Sequence, residues 1–452
     1  MDEAQRIQDK VRAAGVVGAG GAGFPTHVKF GAKAEIFLAN GAECEPLLKV
    51  DQQLAEKYAD LLIRGLHLGM SATGAQEGVI ALKKKYAPAI AALAPRLHGA
   101  MRIHILPDVY PAGDEVMTIW MATGRRVPPA ALPLDVGVVV NNVQTLINVA
   151  RAVDEDQPVT SRTLTITGAV RRPITVTVPI GVPFQEMIEL AGGVSVPDAA
   201  YIDGGPMMGK LLGDLSQPVT KTSGGIIALP ASHILIRRHT QPPQAQMRIA
   251  RTVCEQCCLC TELCPRHMLG HELPPHLIVR SLNYNHIGSP SVLLSALTCS
   301  ECALCEAWSC PVEISPKRLN QMLKAEFRKQ GAKYAGPLRN ADPMAPYRLA
   351  PVSRLIARLG IAVYNRAAPL DENAYRPRRV VLKLRQHAGA PAAPVVQAGE
   401  QVTAGQLVAD IPEGTLGARI HASITGTVES VSPDAIHLSA EVKGAEPCRL
   451  SV

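Results

Sequence analysis

Two short runs of cysteine have the spacing that most plainly predicts chemistry in this chain. Nine of its eleven cysteines fall within 57 residues, a clustering that metal ligation explains and ordinary packing does not. Each run places three cysteines two residues apart, which lets a turn-rich loop present thiolates to three corners of one [4Fe–4S] cubane. We therefore predict two [4Fe–4S] clusters. Their ligands would be Cys254, Cys257, Cys260 and Cys264 from the first run and Cys299, Cys302, Cys305 and Cys310 from the second.

The fourth cysteine of each run precedes a proline, and in two-cluster ferredoxins such a cysteine binds the other cluster. The predicted quartets are therefore Cys254, Cys257, Cys260 and Cys310 for one cluster, and Cys264, Cys299, Cys302 and Cys305 for the other. The second run has four residues before its last cysteine where the first has three, which predicts a small backbone bulge around residues 307–309. A single C-x2-C pair also suits zinc, but the duplication favours clusters.

Three cysteines lie outside this assignment. Cys258 sits inside the first run and could replace Cys257, although the spacing favours Cys257 and a spare thiol is the simpler interpretation. Cys44 and Cys448 are expected to be ordinary thiols.

A glycine-rich loop near the N-terminus is the second chemical feature. Residues 16–29 read VVGAGGAGFPTHVK, and glycine lets backbone N–H groups approach a phosphate or a flat ring. The loop does not fit the Rossmann fingerprint well, since no clear strand precedes it, and it is not a P-loop, since no Gly-Lys-Ser/Thr follows. Taken alone, it is also compatible with a simple tight turn.

Three polar segments follow apolar, strand-like runs. They are NGAECEP at 40–46, YPAGDE at 110–115 and NNVQT at 141–145. Ligand loops of α/β proteins lie at such strand ends. Acidic side chains there could bind ribose hydroxyls or a flavin edge, and asparagines at a helix start could hold a phosphate, although each segment could equally be a helix cap or turn.

Together, the patterns GxGGAGFPTxxK, NxxExEP, YxxGxE and NNVxT resemble the flavin- and NADH-binding subunit of respiratory complex I, and more closely the RnfC protein of the Rnf electron-transport complex. The resemblance covers about residues 10–335. In RnfC, a barrel-sandwich unit precedes the flavin domain, whereas here such a unit comes last. That order is similar to the cobalamin reductases of propanediol-utilisation microcompartments, whose NAAECEP form differs from this chain at Gly41.

The resemblance implies that the first domain binds FMN and NADH. The residues that would hold FMN are Gly18, Gly20, Gly21, Gly23, Lys29, Asn40, Glu43, Asn141, Asn142 and Thr145. Those that would lie toward the nicotinamide nucleotide are Phe24, Glu45, Asp114 and Glu115.

By the same resemblance, electrons would pass from NADH through FMN and the two clusters to cobalamin, in support of a B12-dependent diol dehydratase system. An adenosyltransferase and microcompartment shell proteins are the partners it implies. No Asp-x-His-x-x-Gly corrin motif is present. The remaining cobalt-ligand candidates are His267, His271, His276 and His286, each more simply read as a satisfied core or surface histidine.

Two alternatives remain open. The chain could be an Rnf-type electron-transfer protein that reduces a ferredoxin, a quinone or a membrane partner. It could also be a non-catalytic iron–sulfur relay or scaffold that has lost its flavin, although the intact acidic loops argue against this.

The overall composition narrows the class of protein. A net charge of +7 over 452 residues, with aromatics at 4% and no long basic run, disfavours nucleic-acid binding. No stretch is long and apolar enough for a membrane span, and the charged start is not a secretory signal. We expect a cytoplasmic protein, within a microcompartment if the resemblance holds.

The elements that must position these residues form a multidomain α/β and α+β chain. Residues 1–158 alternate apolar strands near 36–39, 101–105 and 136–140 with helical stretches such as 51–70 and 74–94, which predicts a parallel sheet covered by helices. Residues 160–235 alternate Thr with apolar residues around a turn at 171–173, which predicts a β-grasp-like domain.

The second half of the chain is predicted to contain three more regions. A polar linker at 237–247 leads to a helical two-cluster ferredoxin domain at 248–333, and a Pro-rich linker at 335–375 follows. Residues 376–452 form short strands separated by Gly and Pro, as in a lipoyl-like barrel-sandwich hybrid. The carrier lysine of lipoyl domains is missing, since Ile424 and Thr425 occupy the tip.

Overall fold

A computed structural model describes residues 2–284 and 289–441 of the chain. His286 and Cys448 lie outside the described residues, so the expectations for them are not addressed by the structure.

The N-terminal region is built on a four-stranded parallel sheet in the order β3-β2-β1-β5. Its strands are nearly continuous apolar runs, because helices cover both faces of a parallel sheet. Its elements are α1 (Glu3–Ala13), α2 (Thr26–Phe30), β1 (Ile36–Gly41), α3 (Val50–Lys57), α4 (Ala59–Thr73), β2 (Glu77–Lys83), α5 (Ala87–Leu93), β3 (Met101–Leu106), β4 (Val109–Tyr110), α6 (Glu115–Thr123), β5 (Val138–Asn142) and α7 (Val143–Asp154).

The parallel sheet confirms the α/β prediction and corrects one helix. The stretch 74–94 is not one helix, because β2 occupies Glu77–Lys83 and pairs with both β1 and β3. Gly74 ends α4 in a left-handed conformation, and the following run of Val79, Ile80 and Leu82 is wholly buried in the sheet. Burial on both faces removes the alternation that would have identified a strand.

A second sheet follows, in the order β7-β6-β10-β8-β9. Strands β6 and β7 form the antiparallel hairpin predicted around 171–173, which is confirmed. The elements of this region are β6 (Ser161–Gly168), β7 (Ile174–Pro179), α8 (Phe184–Leu190), β8 (Ala199–Asp203), β9 (Lys210–Leu212) and β10 (Gly225–Pro230).

The cysteine runs lie among short helices. The polar stretch 237–247, expected to be a linker, is largely helical instead, because Pro243 starts a helix whose face buries Gln246 and Ala250. The helices are α9 (Ile234–Thr240), α10 (Pro243–Val253), α11 (Leu259–Glu262), α12 (Pro265–Met268), α13 (Pro275–Tyr284), α14 (Pro290–Leu294) and α15 (Pro316–Lys329).

The Pro-rich segment 335–375 is packed against two of these regions. Its β11 (Ala350–Pro351) pairs with β4, and its β12 (Leu370–Asp371) adds a strand beside β7. Between them, α16 (Val352–Arg358) buries Val352 and Leu355. The segment therefore fastens the N-terminal region to the second sheet as well as connecting elements in sequence.

The described part of the tail consists of short strands in two small sheets, as the sequence predicted. One sheet has the order β13-β19-β18-β15 and the other β14-β16-β17. Ile424, at the predicted tip, is buried, and the neighbouring Ser423 Oγ donates a 2.5 Å hydrogen bond to the carbonyl of Ile180 in the second sheet region. The strands are β13 (Arg379–Lys383), β14 (Ala393–Pro394), β15 (Gln401–Val402), β16 (Leu407–Asp410), β17 (Ile420–His421), β18 (Gly426–Val431) and β19 (Ala435–Ala440).

One apolar cluster runs from the N-terminal helices through the second sheet into the tail. Within the described residues, no helix combines the length and apolar character needed to span a membrane. The shared core fixes the N-terminal region, the second sheet and the tail in one arrangement.

Candidate functional site

The two cysteine runs share an unusual backbone. In the first run, Gln256 and Cys258 have positive φ angles of 54° and 62°. In the second run, the corresponding Glu301 and Ala303 have φ angles of 62° and 66°. Non-glycine residues seldom adopt this conformation, so its repetition at matching positions shows that both runs fold as the same loop.

Each quartet of cysteines lines its own cavity. We call outer cavity the one lined by Cys254, Cys257, Cys260 and Cys310, and inner cavity the one lined by Cys264, Cys299, Cys302 and Cys305. Each cavity thus takes three cysteines from one run and the fourth from the other. In the outer cavity Cys257 is exposed, whereas Cys264, Cys302 and Cys305 of the inner cavity are buried.

The chemistry of these donors fits iron–sulfur clusters. Burial raises the pKa of Cys260, Cys264 and Cys302 to about 12, and the neighbouring thiols add to the effect. Four thiolates can share such a space only if a cation neutralises them, as cluster iron does. Among the described residues, no three His, Cys, Asp or Glu side chains are arranged to hold a single metal ion. Each quartet of cysteines instead lines a shared cavity.

The one-residue excess in the second run is absorbed by a π-helical turn over Cys305–Ser309. A π turn contains one residue more than an α turn, and the first run has the α-helix α11 at the matching place. The predicted bulge around 307–309 is therefore confirmed, and it brings Cys310 to the outer cavity.

Several polar hydrogens point at the cysteine sulfurs. Gln256 Nε2 lies 3.2 Å from Cys254 Sγ, and the backbone N–H of Ile314 lies 3.3 Å from Cys310 Sγ. Such contacts tune cluster potentials. Cys258 Sγ instead donates to the carbonyl of Gln256 at 3.2 Å, so this thiol is engaged locally although it lies at the outer cavity.

The glycine loop turns back on itself between Val17 and Pro25. Gly18 N–H donates to the carbonyl of Phe24 at 2.9 Å, which closes the loop. Gly21 has a φ of 112° and open space where a Cβ would stand, as a surface that approaches a ligand requires. Gly23 has a φ of 63° and lies against Thr222 and His387, so no side chain fits there.

The segment after β5 is hydrogen-bonded to the glycine loop. Thr145 Oγ1 accepts a 2.9 Å hydrogen bond from the N–H of Ala19. Asn142 caps α7 through its Oδ1 and donates from Nδ2 to Asp51 at 2.8 Å. Asn141 is 4% exposed, and its Nδ2 has no partner among the described residues. A buried amide donor left free at the end of β5 fits a bound flavin.

Lys29 joins the loop to two other elements. Its Nζ donates to the carbonyl of Val140 at 2.8 Å and forms a 3.1 Å ion pair with Glu115. Glu115 begins α6, so this pair brings together two residues that the sequence assigned to different halves of the site.

The acidic segment after β1 is held from several sides. Asn40 Nδ2 donates to the carbonyl of Gly113 at 2.9 Å. Glu43 accepts the backbone N–H groups of Val50 and Asp51, and burial raises its pKa. Glu45 accepts the N–H groups of Met207 and Met208 from the second sheet region at 2.9 and 3.1 Å, and burial raises its pKa to about 7.

Asp114 contacts the cysteine region directly. Its carboxylate accepts two hydrogen bonds from Arg266, at 2.6 and 3.0 Å, and also caps α6 through the N–H of Met117. Arg266 follows Cys264-Pro265 and lines the inner cavity. Asp114, predicted to lie toward the nicotinamide nucleotide, is therefore bound to the helix that follows Cys264.

Sequence reasoning missed several residues that connect the site. Arg162 is buried and donates from Nη2 to the carbonyl of Ala19 in the glycine loop at 2.7 Å. Lys221 is buried and donates to the carbonyls of Gly15 and Arg419, at 2.7 and 2.6 Å, so it joins the residue before the glycine loop to the tail. Neither residue lies in a motif, and each acts across more than 140 positions of sequence, so no local signal identifies it.

Two of the described histidines near the cysteines have hydrogen-bond partners within the fold. His276 Nδ1 lies 2.6 Å from Thr261 Oγ1, and His271 Nε2 lies 2.9 Å from the carbonyl of Val127. Burial lowers the pKa of His267, His271 and His276. His271 and His276 thus have partners within the fold, in agreement with the simpler of the two interpretations.

Four protein-family models match successive parts of the chain. They are the Nuo51 FMN-binding domain over 11–151, the SLBB domain over 163–211, the 4Fe–4S dicluster domain over 253–315 and the RnfC barrel sandwich hybrid domain over 366–446. The FMN and the two iron–sulfur clusters expected from the sequence are confirmed by the first and third matches. The multidomain α/β layout is confirmed as well.

Similar curated proteins share most or part of this layout. Cobalamin reductase PduS of Salmonella typhimurium is 61% identical over 433 residues, which are 96% of each chain. Its counterpart in Citrobacter freundii is 59% identical over 434 residues, again 96% of each chain. A component of the Na+-translocating ferredoxin:NAD+ oxidoreductase complex of Acetobacterium woodii is 37% identical over 273 residues, 59% of each chain.

Proposed function

This chain belongs to the family of the cobalamin reductases PduS, and from that premise we propose that it reduces cobalamin with electrons taken from NADH. When bound, FMN accepts two electrons as hydride and releases them singly, and the [4Fe–4S] clusters carry single electrons toward the cobalt.

One observation carries the proposal beyond family membership. Two residues that line the inner cavity are hydrogen-bonded to the N-terminal region: Arg266 to Asp114, and the carbonyl of Cys302 to Tyr110. The outer cavity reaches the surface at Cys257. This arrangement supports an inner cluster next to the flavin region and an outer cluster next to the acceptor.

For FMN, the chain offers a cradle that is already formed. Gly21 leaves open space at the loop, Thr145 and Arg162 hold the backbone of Ala19, and the buried amide of Asn141 is free to donate. Lys29 would hold negative charge on the cofactor while it fixes the end of β5. Gly18, Gly20, Gly23, Asn40, Glu43 and Asn142 complete the proposed site.

For NADH, we propose the acidic and aromatic residues at the edge of this cradle. Glu45 is held by the loop that contains Met207 and Met208, and Glu115 is paired with Lys29. Phe24 closes the glycine loop through its carbonyl. Asp114 would act here chiefly by fixing the start of α6, because its carboxylate is already bound to Arg266.

The finer domain assignments are part of the same proposal. They are a flavin/NADH domain at 1–158, a β-grasp-like domain at 160–235, a ferredoxin-type domain at 248–333 and a barrel-sandwich hybrid at 376–452. The hairpin of β6 and β7, the matched cysteine loops and the two small tail sheets support them. A location inside a microcompartment, with shell proteins and an adenosyltransferase as partners, is proposed from the family resemblance.

The test uses the reconstituted full chain under anaerobic conditions. NADH is added in the presence of cob(III)alamin, and the corrin absorption spectrum is followed. The proposal predicts conversion to the cob(II)alamin spectrum. If NADH bleaches the flavin and a ferredoxin or dye is reduced while the corrin spectrum never changes, the Rnf-type electron-transfer function replaces this one. If no FMN binds, the chain is a relay or scaffold.

A further inference from the structure

The two cysteine cavities differ in the charges of their walls. The inner cavity is lined by Arg266 and Lys317, together with Glu301. Among the described residues that line the outer cavity there is no Lys or Arg, and its one acid is Glu255. The inner cavity is therefore the more positive of the two.

Arg266 is the cation best placed to act on the inner cavity. Its side chain is 11% exposed, so water screens its charge weakly. Its partner Asp114 is not among the residues that line the cavity, whereas Arg266 is.

The other charged groups at the inner cavity also have partners. Lys317 donates to the carbonyl of Met207 at 3.0 Å and lies 3.6 Å from Glu306. Glu301 is paired with Lys324, whose Nζ also donates to the carbonyl of Cys299 at 2.8 Å. Each acid near the cavity thus has its own cation.

Asn320 gives independent evidence that the wall of the inner cavity faces a group that accepts hydrogen bonds. It is wholly buried, it lines the inner cavity, and neither Nδ2 nor Oδ1 has a partner among the described residues. A buried amide is seldom left unpaired, so its free donor fits an electron-rich group inside the cavity.

We propose that Arg266, assisted by Lys317 and Asn320, raises the reduction potential of the cluster held by Cys264, Cys299, Cys302 and Cys305. Adding one electron to a cluster adds one negative charge, and a buried positive charge beside it favours the reduced form. The inference rests on the proposed function, since it requires clusters in both cavities. Arg266 would not bind the cluster iron, and it acts on the cluster through its charge alone.

The experiment is a redox titration of the full chain with mediators, followed by electron paramagnetic resonance, which does not depend on NADH. In Arg266→Gln, one of the two cluster midpoints should move to a more negative potential while the other stays. Asp114→Asn removes the negative partner and keeps Arg266, so the same midpoint should move to a more positive potential. A general structural disturbance would not give opposite signs.

A second arginine tests which cluster responds. Arg358 Nη2 donates to the carbonyl of Cys310, an outer-cavity cysteine, at 3.2 Å. Arg358 is exposed, so Arg358→Gln should lower the midpoint that Arg266→Gln leaves unchanged, and by less than Arg266→Gln lowers the inner one. If Arg266→Gln fails to fold because Asp114 is left unpaired, the double variant Asp114→Asn/Arg266→Gln should still lower the inner midpoint, by less.

The outcomes separate this inference from the proposed function. If the wild-type chain holds iron for fewer than two clusters, the proposed function fails first. If both clusters are present and the Arg266 and Asp114 variants leave both midpoints unchanged, or shift them in the same direction, the role of Arg266 is overturned.

Discussion

The hydroxyl of Tyr110 donates a 2.8 Å hydrogen bond to the backbone carbonyl of Cys302 and lies 3.5 Å from Glu45 Oε1. Tyr110 is wholly buried at the end of β4, so one side chain touches both the acidic segment after β1 and the inner cysteine loop. The cysteine region is therefore hydrogen-bonded to the N-terminal region, and it is not a ferredoxin joined only by a linker.

Replacing Tyr110 by Phe should loosen this junction. The carbonyl of Cys302 would lose its buried donor, which typically costs about 1–3 kcal/mol. We expect the temperature at which the cluster absorption is lost to fall, with little change in cofactor content. Tyr347→Phe is the matched control, because Tyr347 is 80% exposed. An unchanged temperature in Tyr110→Phe would show that the bond does not stabilise the junction.

The crossed assignment of ligands predicts which cysteine variants behave alike. Cys310→Ala and Cys254→Ala come from different runs but line the same cavity, so both should lose the same paramagnetic signal and roughly half of the iron. Cys264→Ala and Cys302→Ala should both lose the other signal. Cys258→Ala, the control, should keep all of the iron, since its thiol bonds to Gln256. If Cys310→Ala instead matched Cys305→Ala, each run would hold its own cluster.

Lys29 should contribute directly to the affinity for FMN. Lys29→Met removes a cation and its two hydrogen bonds, one to the carbonyl of Val140 in β5 and one to Glu115 at the start of α6. A charged hydrogen bond is worth about 1.5–3 kcal/mol, so FMN binding should weaken by roughly tenfold or more. Flavin fluorescence quenching measures this affinity. Lys33→Met, an exposed change nearby, should leave it unaltered. Equal affinities for the two variants would remove Lys29 from the proposed site.

The buried environment of Glu45 predicts a pH dependence of stability. Its pKa rises from 4.5 to about 7, chiefly through burial, so the folded state keeps a proton that the unfolded state loses. Stability from this group is therefore fully present below pH 4.5 and falls as the pH rises to about 7. Glu45→Gln cannot ionise, so its melting temperature relative to wild type should improve between about pH 5 and pH 8.

The control for this prediction is Glu413→Gln, an exposed change whose difference from wild type should stay flat over the same range. If the difference in melting temperature between Glu45→Gln and wild type does not change between about pH 5 and pH 8, the Glu45 carboxyl group is already ionised in the folded state at about pH 5.

Spacing and strand ends predicted the local parts of the site well. The extra residue before Cys310 predicted the irregular turn that the structure has at Cys305–Ser309, because helix geometry fixes how many residues one turn can hold. The polar segments after β1 and β5 lie at the same edge of the sheet, because the carboxyl ends of parallel strands meet there, and Thr145 of the second segment bonds to the glycine loop.

Long-range pairs could not be predicted in this way. Arg266 and Asp114 are 152 positions apart, and nothing local marks either as a partner. Strand β2 was missed because it is buried on both faces, which removes the alternating pattern. The helix α10 was missed because its proline and glutamines are typical of linkers, while the face that it buries depends on α13 and α15.

The most direct test of electron transfer through the inner cluster is the corrin spectrum after NADH is added to two forms of the chain, wild type and Cys305→Ala. Both should bind FMN, and NADH should bleach the flavin of both. Wild type should convert cob(III)alamin to cob(II)alamin, two for each NADH, while Cys305→Ala should do so far more slowly. Equal rates for the two forms would contradict the proposed path, because electrons would then reach cobalamin without the inner cluster.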